Sequence, residues 1–111
     1  MSTLDVTTER VADQTRVVLV GELDIANAPL LESELERVEA DSPGTVVLDL
    51  SGVEFIDSTG LRSVIAANER AQAAGGRLVV VRGSAAVERL FSVMQVDQRL
   101  EIVDDPDAIA S

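Results

Sequence analysis

The chain has 111 residues, a hydrophobic content of 46% and a formal net charge of −11, from 20 acidic and nine basic side chains. A chain of this kind can fold as one domain around an apolar core without disulfide or metal staples. Cysteine, histidine and lysine are all absent, which excludes zinc sites, thiol nucleophiles, Ser-His-Asp triads and a lysine-dependent phosphate-binding loop. The acidic charge and the 2% aromatic content argue against nucleic-acid binding.

The start of the chain carries no apolar signal sequence, and no apolar run approaches the about 20 residues that cross a bilayer. We therefore expect a cytoplasmic protein that does not associate with membranes. The acidic residues Asp104, Asp105 and Asp107 lack the glycine and glutamate of a calcium-binding EF-hand loop, so we interpret them as a helix cap and a solvated tail. The sequence predicts neither a metal site nor a cofactor site.

The first two predicted elements are strands that form an antiparallel hairpin. Residues 4–10 alternate weakly in hydrophobicity, and residues 15–23 contain the mostly β-branched run Val-Val-Leu-Val. A turn is expected between them, at Asp13 and Gln14.

A helical periodicity replaces the strand pattern after Asn27, which is the predicted N-cap of the first helix. Four apolar side chains are expected on its buried face: Leu30, Leu31, Leu35 and Val38. The sequence Ser42, Pro43, Gly44 is predicted to end this helix.

The middle of the chain predicts a strand followed by a second amphipathic helix. Residues 45–50 are nearly all apolar, which is typical of a parallel strand buried on both faces, and residues 51–56 are expected to be a connection. The helix starts within residues 57–60, Asp-Ser-Thr-Gly, and ends at Gly75 and Gly76. Its predicted buried face consists of Leu61, Val64, Ile65, Asn68 and Ala71.

The last third of the chain predicts a strand over Arg77–Val81, a short helix capped by Ser84, and a short strand over residues 100–103. Asp104, Asp105 and Pro106 are expected to cap a final helical turn. The side chains predicted to point inward from the short helix are Val87, Leu90, Phe91 and Met94.

This order of elements predicts an α/β fold in a single domain over residues 1–111. The sheet is expected to be mainly parallel, with an antiparallel N-terminal strand and right-handed crossover helices. Ligands of such sheets bind beyond the carboxyl ends of the strands. Three segments are predicted to meet at that edge, namely residues 21–24, 56–60 and 82–84.

The polar residues at this edge have a structural and a functional interpretation. Asp57, Ser58 or Thr59 can be an ordinary N-cap, or the helix can present a hydroxyl where its amides and dipole stabilise a phosphate. Glu22 and Asp24 are either solvated strand-end carboxylates or part of a functional rim. Asp49 lies inside a strand, and we interpret it as a structural, hydrogen-bonded carboxylate.

Taken together, the motifs resemble one family, the STAS-domain anti-anti-sigma factors, bacterial regulators that antagonise an anti-sigma kinase. The resemblance covers nearly the whole chain, and its most specific element is Asp-Ser-Thr-Gly-Leu after a buried strand, with Gly-Glu-Leu-Asp upstream. The matching segments are residues 21–24, 46–53, 55–61, 75–80 and 87–91.

The resemblance implies that Ser58 is a phosphoacceptor and that Asp24 lies close to it. The unphosphorylated chain would bind an anti-sigma factor that is also an ATP-dependent serine kinase, and this binding would release a sigma factor. A metal-dependent Ser/Thr phosphatase would reset the cycle, and the chain itself would not be an enzyme. The expected partner-binding residues are Glu22, Asp24, Asp57, Thr59, Gly60 and Arg62.

Two positions depart from the family pattern. Arg62 stands where members often have glycine, directly beside the candidate phosphoacceptor, and this change is expected to affect which kinase recognises the chain. A Gly-Leu pair that is common near Met94, Gln95 and Val96 is absent, so the family does not fix the local path of the chain at the end of the last helix.

Three other functions compete with this one. A phosphoaspartate receiver needs an acid pair after its first strand, an aspartate closing its third strand and a lysine, none of which is present. An independent enzyme lacks a nucleophile–base pair. A STAS scaffold that binds partners without a phosphorylation cycle remains the alternative, because Ser58 could persist there simply as a helix cap.

Overall fold

A five-stranded sheet with the strand order β1-β2-β3-β4-β5 organises the protein. The computed structural model describes residues 2–41, 44–96 and 98–109. β1 is antiparallel to β2, and all other pairs are parallel, so the predicted fold class and order of elements are confirmed. The elements are β1 (Leu4–Val11), β2 (Gln14–Leu23), α1 (Ala28–Asp41), β3 (Thr45–Ile56), α2 (Ser58–Ala73), β4 (Arg77–Val81), α3 (Ala85–Val93), β5 (Glu101–Val103) and a 3-10 turn (Pro106–Ala108).

The hairpin between β1 and β2 turns one residue earlier than predicted. Val11 pairs with Gln14, which leaves Ala12 and Asp13 as the two turn residues. Ala12 has a φ of 56°, a conformation that matches the twist of two-residue hairpin loops. Gln14 is buried as the first residue of β2 rather than exposed in the turn.

Strand β3 is twice as long as the apolar run that predicted it. Residues 51–56, expected to be a connection, continue the strand and pair with β2 through two register shifts, between Val18 and Val20 and between Gly21 and Glu22. These irregularities interrupt the alternation of side chains between the faces of the sheet, and a periodicity argument therefore misses the extension. The extension brings Ile56 opposite Leu23.

The three helices and the sheet share one apolar core. Consecutive residues of β3 and β4 are buried, including Val46, Val47 and Leu48, which confirms that both faces of these strands are covered. Two expectations about the helices are wrong: Leu30 is 55% exposed and Met94 is 48% exposed. Leu30 lies beside the stripe formed by Leu31, Leu35 and Val38, and Met94 caps the end of α3 instead of lying within it.

Three other predicted helix boundaries are the end of α1, the end of α2 and the start of the terminal turn. α1 ends at Asp41, while Ser42 and Pro43 of the predicted stop lie outside the described residues. α2 ends before Gly75, as expected. The cap of the terminal turn is Asp105, whose carboxylate accepts a hydrogen bond from the Asp107 amide at 2.9 Å.

Helix α3 ends in a Schellman motif that a glutamine completes. The Gln95 amide donates to the Ser92 carbonyl, and the Val96 amide donates to the Phe91 carbonyl, both at 3.1 Å. Gln95 has a φ of 57°, whereas the corresponding turn after α2 uses Gly75 with a φ of 78°. The chain therefore follows the path that a glycine would allow, but with a side chain in the left-handed region.

Replacing Gln95 with glycine is expected to stabilise the protein by about 1 kcal/mol, because glycine adopts the left-handed conformation without the steric penalty of a Cβ. Urea denaturation of the parent and of Gln95→Gly would measure the difference. Gln95→Ala is the matched control, since it removes the same polar group but keeps the Cβ, and it should give no gain. A glycine variant no more stable than the alanine variant would contradict the assignment.

Candidate functional site

Asp57 caps helix α2 and joins it to the loop that follows β2. Its Oδ1 accepts a hydrogen bond from the Gly60 amide at 2.8 Å, and its Oδ2 accepts one from the Ile25 amide at 3.0 Å. Its own amide donates to the Leu23 carbonyl at 3.2 Å. Of the three residues that could have been the N-cap, the structure assigns the role to Asp57.

Gly60 lets the first turn of α2 pack directly against the end of β2. A Cβ at this position would lie 2.6 Å from the Leu23 carbonyl oxygen and 2.8 Å from the Leu23 Cγ. Those distances are too short for any side chain, so only glycine permits this approach. The close packing fixes where Ser58, in the same turn, emerges from the sheet edge.

Ser58 is the first residue of α2 and is exposed. Because Asp57 provides the cap, the Ser58 hydroxyl has no structural duty, and it makes no hydrogen bond within the described part of the chain. Thr59, the next residue, is half-buried and so is less exposed than Ser58. Its backbone carbonyl accepts a 3.3 Å hydrogen bond from the Ser63 hydroxyl. The structure thus presents one free serine hydroxyl at the start of a helix, where unpaired first-turn amides and the helix dipole favour negative charge.

Asp24 organises the loop between β2 and α1 rather than standing free in solvent. Its Oδ1 accepts from the amides of Ala26 and Asn27 at 3.0 and 3.2 Å, and the Asn27 Oδ1 accepts from the Asp24 amide at 2.8 Å. The Ser2 hydroxyl, followed by these two amides, lowers the pKa of Asp24 against the opposing effect of desolvation. The Asn27 side-chain oxygen therefore bonds back to its own loop, and the prediction that it caps the amides of α1 is wrong.

Asp24 and Ser58 lie on adjoining segments, because Ile25 donates to Asp57, but their side chains make no hydrogen bond to each other within the described residues. Glu22 is half-buried near the end of β2, where its amide donates to the Thr3 carbonyl at 2.9 Å. The two acids thus differ: the Asp24 carboxylate is engaged in its loop, whereas no hydrogen bond to the Glu22 carboxylate is seen in the described parts of the chain.

The third segment of this edge follows β4. The Ser84 hydroxyl donates to the Glu54 carbonyl and accepts from the Val87 amide, both at 3.4 Å, which confirms the predicted cap of α3. Arg82 is held by Asp104 at 2.6 Å and by Glu88. All three predicted segments lie at the carboxyl edge of the sheet, where the loop after β2 bonds to Asp57 and Ser84 bonds to Glu54 of β3.

Two further acidic residues singled out in the sequence, Asp49 and Asp107, have structural partners. The Asp49 Oδ1 accepts from the Ser51 amide at 2.9 Å and from the Ser51 hydroxyl at 2.6 Å, as expected of a structural carboxylate. Asp107 pairs with Arg16 at 3.4 Å. Within residues 2–41, 44–96 and 98–109, no cluster of three or more acidic side chains could hold a metal ion. No helix in the same ranges is long and apolar enough to span a membrane.

One contributor to the site was missed by sequence reasoning. Ile25 is 71% exposed, yet its amide holds the second oxygen of Asp57. An apolar residue in a polar loop weakly indicates a contact surface. The local sequence does not predict a hydrogen bond from the Ile25 amide to a carboxylate 32 positions away.

Comparisons with known proteins agree with the geometry. Residues 5–108 match the STAS domain family model. The chain is 36% identical over 105 residues to the anti-sigma-F factor antagonist RsfB of Mycobacterium tuberculosis, covering 92% of this chain and 85% of RsfB. Its structure matches the crystal structure of an anti-sigma factor antagonist from Mycobacterium paratuberculosis with a TM-score of 0.86 and 30% identity, covering 95% and 89% of the two chains.

A more distant comparison extends the shared fold. The Bacillus cell fate determinant SpoIIAA, in its phosphorylated form, matches with a TM-score of 0.70 at 18% identity, covering 94% of this chain and 96% of its own. The family model spans nearly the whole chain, and the identity to RsfB holds over most of both proteins. The resemblance predicted from the motifs is therefore confirmed: this protein belongs to the STAS domain family.

Proposed function

We propose that this protein is a cytoplasmic anti-sigma factor antagonist that is switched by phosphorylation of Ser58. In the unphosphorylated form it binds an anti-sigma factor that is also a serine kinase, and the sigma factor is released. Phosphorylation ends this binding, and a metal-dependent Ser/Thr phosphatase restores it. The observation that carries the proposal is the exposed Ser58 hydroxyl, held at the start of α2 without a structural role.

The names of its relatives support this function. RsfB is named an anti-sigma-F factor antagonist, and SpoIIAA, which has the same fold, has been solved in a phosphorylated form. The match to RsfB covers 92% of this chain and 85% of RsfB, so it is not confined to one segment of either protein.

The proposed transfer requires the kinase to supply most of the chemistry. The Ser58 oxygen attacks the γ-phosphorus of ATP, the bond between that phosphorus and the bridging oxygen of ADP breaks, and the hydroxyl proton passes to a base of the kinase. This chain contains no lysine and no glycine-rich phosphate loop. Its contribution is to present the hydroxyl at a fixed position, which Asp57 and Gly60 secure.

The proposed binding surface surrounds Ser58. It comprises the acidic rim of Glu22 and Asp24, the start of α2 at Asp57, Thr59 and Gly60, and the exposed side of α2 that carries Arg62. Carboxylates on this rim would attract a basic surface of the partner and accelerate its approach.

Phosphorylation is proposed to act at the interface rather than on the fold. A phosphate adds about −1.5 to −2 charges at pH 7, and the helix start can accommodate that charge. Burying the phosphate against a partner surface shaped for a hydroxyl, without a cation opposite, costs several kcal/mol, which is enough to dissociate a complex.

A STAS scaffold without a phosphorylation cycle is the alternative function. In that case Ser58 would persist as a helix cap, but the cap is Asp57, so this reason for a serine at position 58 is removed. Incubation with candidate anti-sigma kinases and ATP, followed by mass spectrometry, separates the two functions, because only the switch gains one phosphate.

Ser58→Ala is expected to abolish phosphate uptake, retain partner binding and leave stability nearly unchanged. Asp57→Ala removes the actual cap and is expected to cost about 0.5–2 kcal/mol of folding stability. Phosphopeptide mapping and urea denaturation would measure the two effects, with Ser33→Ala, at an exposed serine of α1 outside the proposed surface, as the control that should still be phosphorylated. Label that appears on Thr59 of the Ser58→Ala variant would refute the assignment of the acceptor.

Neutralising the rim with Glu22→Gln and Asp24→Asn is expected to slow association and to flatten its dependence on salt, since long-range charge mainly acts on the encounter rate. The Asp24→Asn change keeps a side-chain oxygen that can accept the loop amides, which limits damage to the fold. Stopped-flow association rates at several salt concentrations would test this.

The matched control for the rim is Asp13→Asn with Asp41→Asn, which changes the net charge equally at the opposite edge of the sheet. The control is expected to retain most of the rate and of the salt dependence. Equal effects of both pairs would place the contact surface elsewhere.

The phosphorylated protein is expected to keep its far-UV and near-UV circular dichroism while losing affinity for the kinase, and Ser58→Asp should weaken binding in the same direction but less. Calorimetric titration with the kinase would compare the forms. A clearly altered near-UV spectrum, or undiminished affinity, would overturn the interfacial mechanism.

A further inference from the structure

Arg62 lies on the same face of α2 as Ser58. Ser58 is the first residue of the helix, Arg62 follows four positions later, and both are exposed. Side chains at positions i and i+4 of a helix have Cβ atoms about 5–6 Å apart, and the order with the acidic group first and the basic group second is the favourable one. A long guanidinium side chain at position 62 therefore reaches the space above the Ser58 hydroxyl.

Of the two arginines of α2, Arg62 is the one without an ion pair in the described part of the chain. Among the residues that the structure describes, no carboxylate pairs with it. Arg70, the second arginine of α2, binds Glu39 at 2.7 Å, and Arg82, at the end of β4, binds Asp104 and Glu88. The nearest acid on the helix start, Asp57, already accepts hydrogen bonds on both carboxylate oxygens.

We propose that Arg62 closes over the phosphate of phosphorylated Ser58 and forms an ion pair with it within α2. This inference rests on the proposed phosphorylation of Ser58. A planar guanidinium can donate two parallel hydrogen bonds to two oxygens of one phosphate, which is a stronger arrangement than a single point contact. Phosphorylation would then have two effects. It adds negative charge at Ser58, and it draws the Arg62 guanidinium into an ion pair, so that this cation no longer faces the partner.

The pair can be tested without any kinase. Phosphoserine installed at position 58 during translation gives the full-length phosphoprotein directly, and a ³¹P NMR titration reports the pKa of the second ionisation of its phosphate. Because Arg62 favours the dianion, the proton affinity of the phosphate is expected to be about 1.5- to five-fold lower in the parent than in Arg62→Gln, the range for exposed ion pairs. The acids near the phosphate, Glu22, Asp24 and Asp57, are the same in both proteins.

A variant with the same net charge distinguishes a direct ion pair between Arg62 and the phosphate from a longer-range effect of positive charge on the phosphate pKa. Arg62→Gln combined with Ala66→Arg keeps the net charge but moves the guanidinium to another exposed position on α2. Position 66 is about 12 Å from Ser58 along the helix axis, which exceeds the screening length at physiological salt. This double variant is expected to titrate like Arg62→Gln, whereas Arg89→Gln, on α3, should titrate like the parent.

Three outcomes would overturn the pair: an unchanged pKa in Arg62→Gln, a parental pKa in the double variant, or the same shift in Arg89→Gln. The outcome is independent of the proposed switch, because the phosphate is installed genetically. If the pKa does not shift, the ion pair is refuted but Ser58 can still be a kinase substrate. If no kinase labels Ser58, the phosphorylation proposal is refuted but the titration still tests the ion pair.

Discussion

The two hydrogen bonds accepted by the Asp57 carboxylate hold the candidate site together. One ties the side chain to the first turn of α2, and the other ties it to the loop after β2, so a single residue sets the position of both segments. Gly60 adds a second constraint, because α2 starts so close to Leu23 that a side chain there would displace the helix. The exposed position of Ser58 follows from these two contacts.

The chemistry of the site is divided between neighbouring residues. The carboxylates of Asp57 and Asp24 accept hydrogen bonds from backbone amides. These two residues therefore set the shape of the loops that a partner would contact. Ser58 and Arg62 are exposed and free of such duties in the described structure. The side chains that hold the loops and the side chains that are exposed are thus different ones, although they adjoin one another at the start of α2.

Much of this arrangement is predictable from local patterns, because caps and apolar runs are properties of short segments. β4 has the predicted bounds, and Ser84 is the predicted cap. The extension of β3 was missed since two register shifts with β2 break its alternation, and the exposure of Met94 was missed since α3 ends one residue before it. The bond between Ile25 and Asp57 depends on how two distant loops pack, which no local pattern encodes.

The separation of the cap from the hydroxyl has an evolutionary consequence. If Ser58 were the N-cap, every substitution at that position would change regulation and folding together. With the cap on Asp57, position 58 can vary at little cost to the fold, so the proposed modification could be gained, lost or replaced in a single mutational step. A scaffold built this way separates the selection acting on its stability from the selection acting on its signalling.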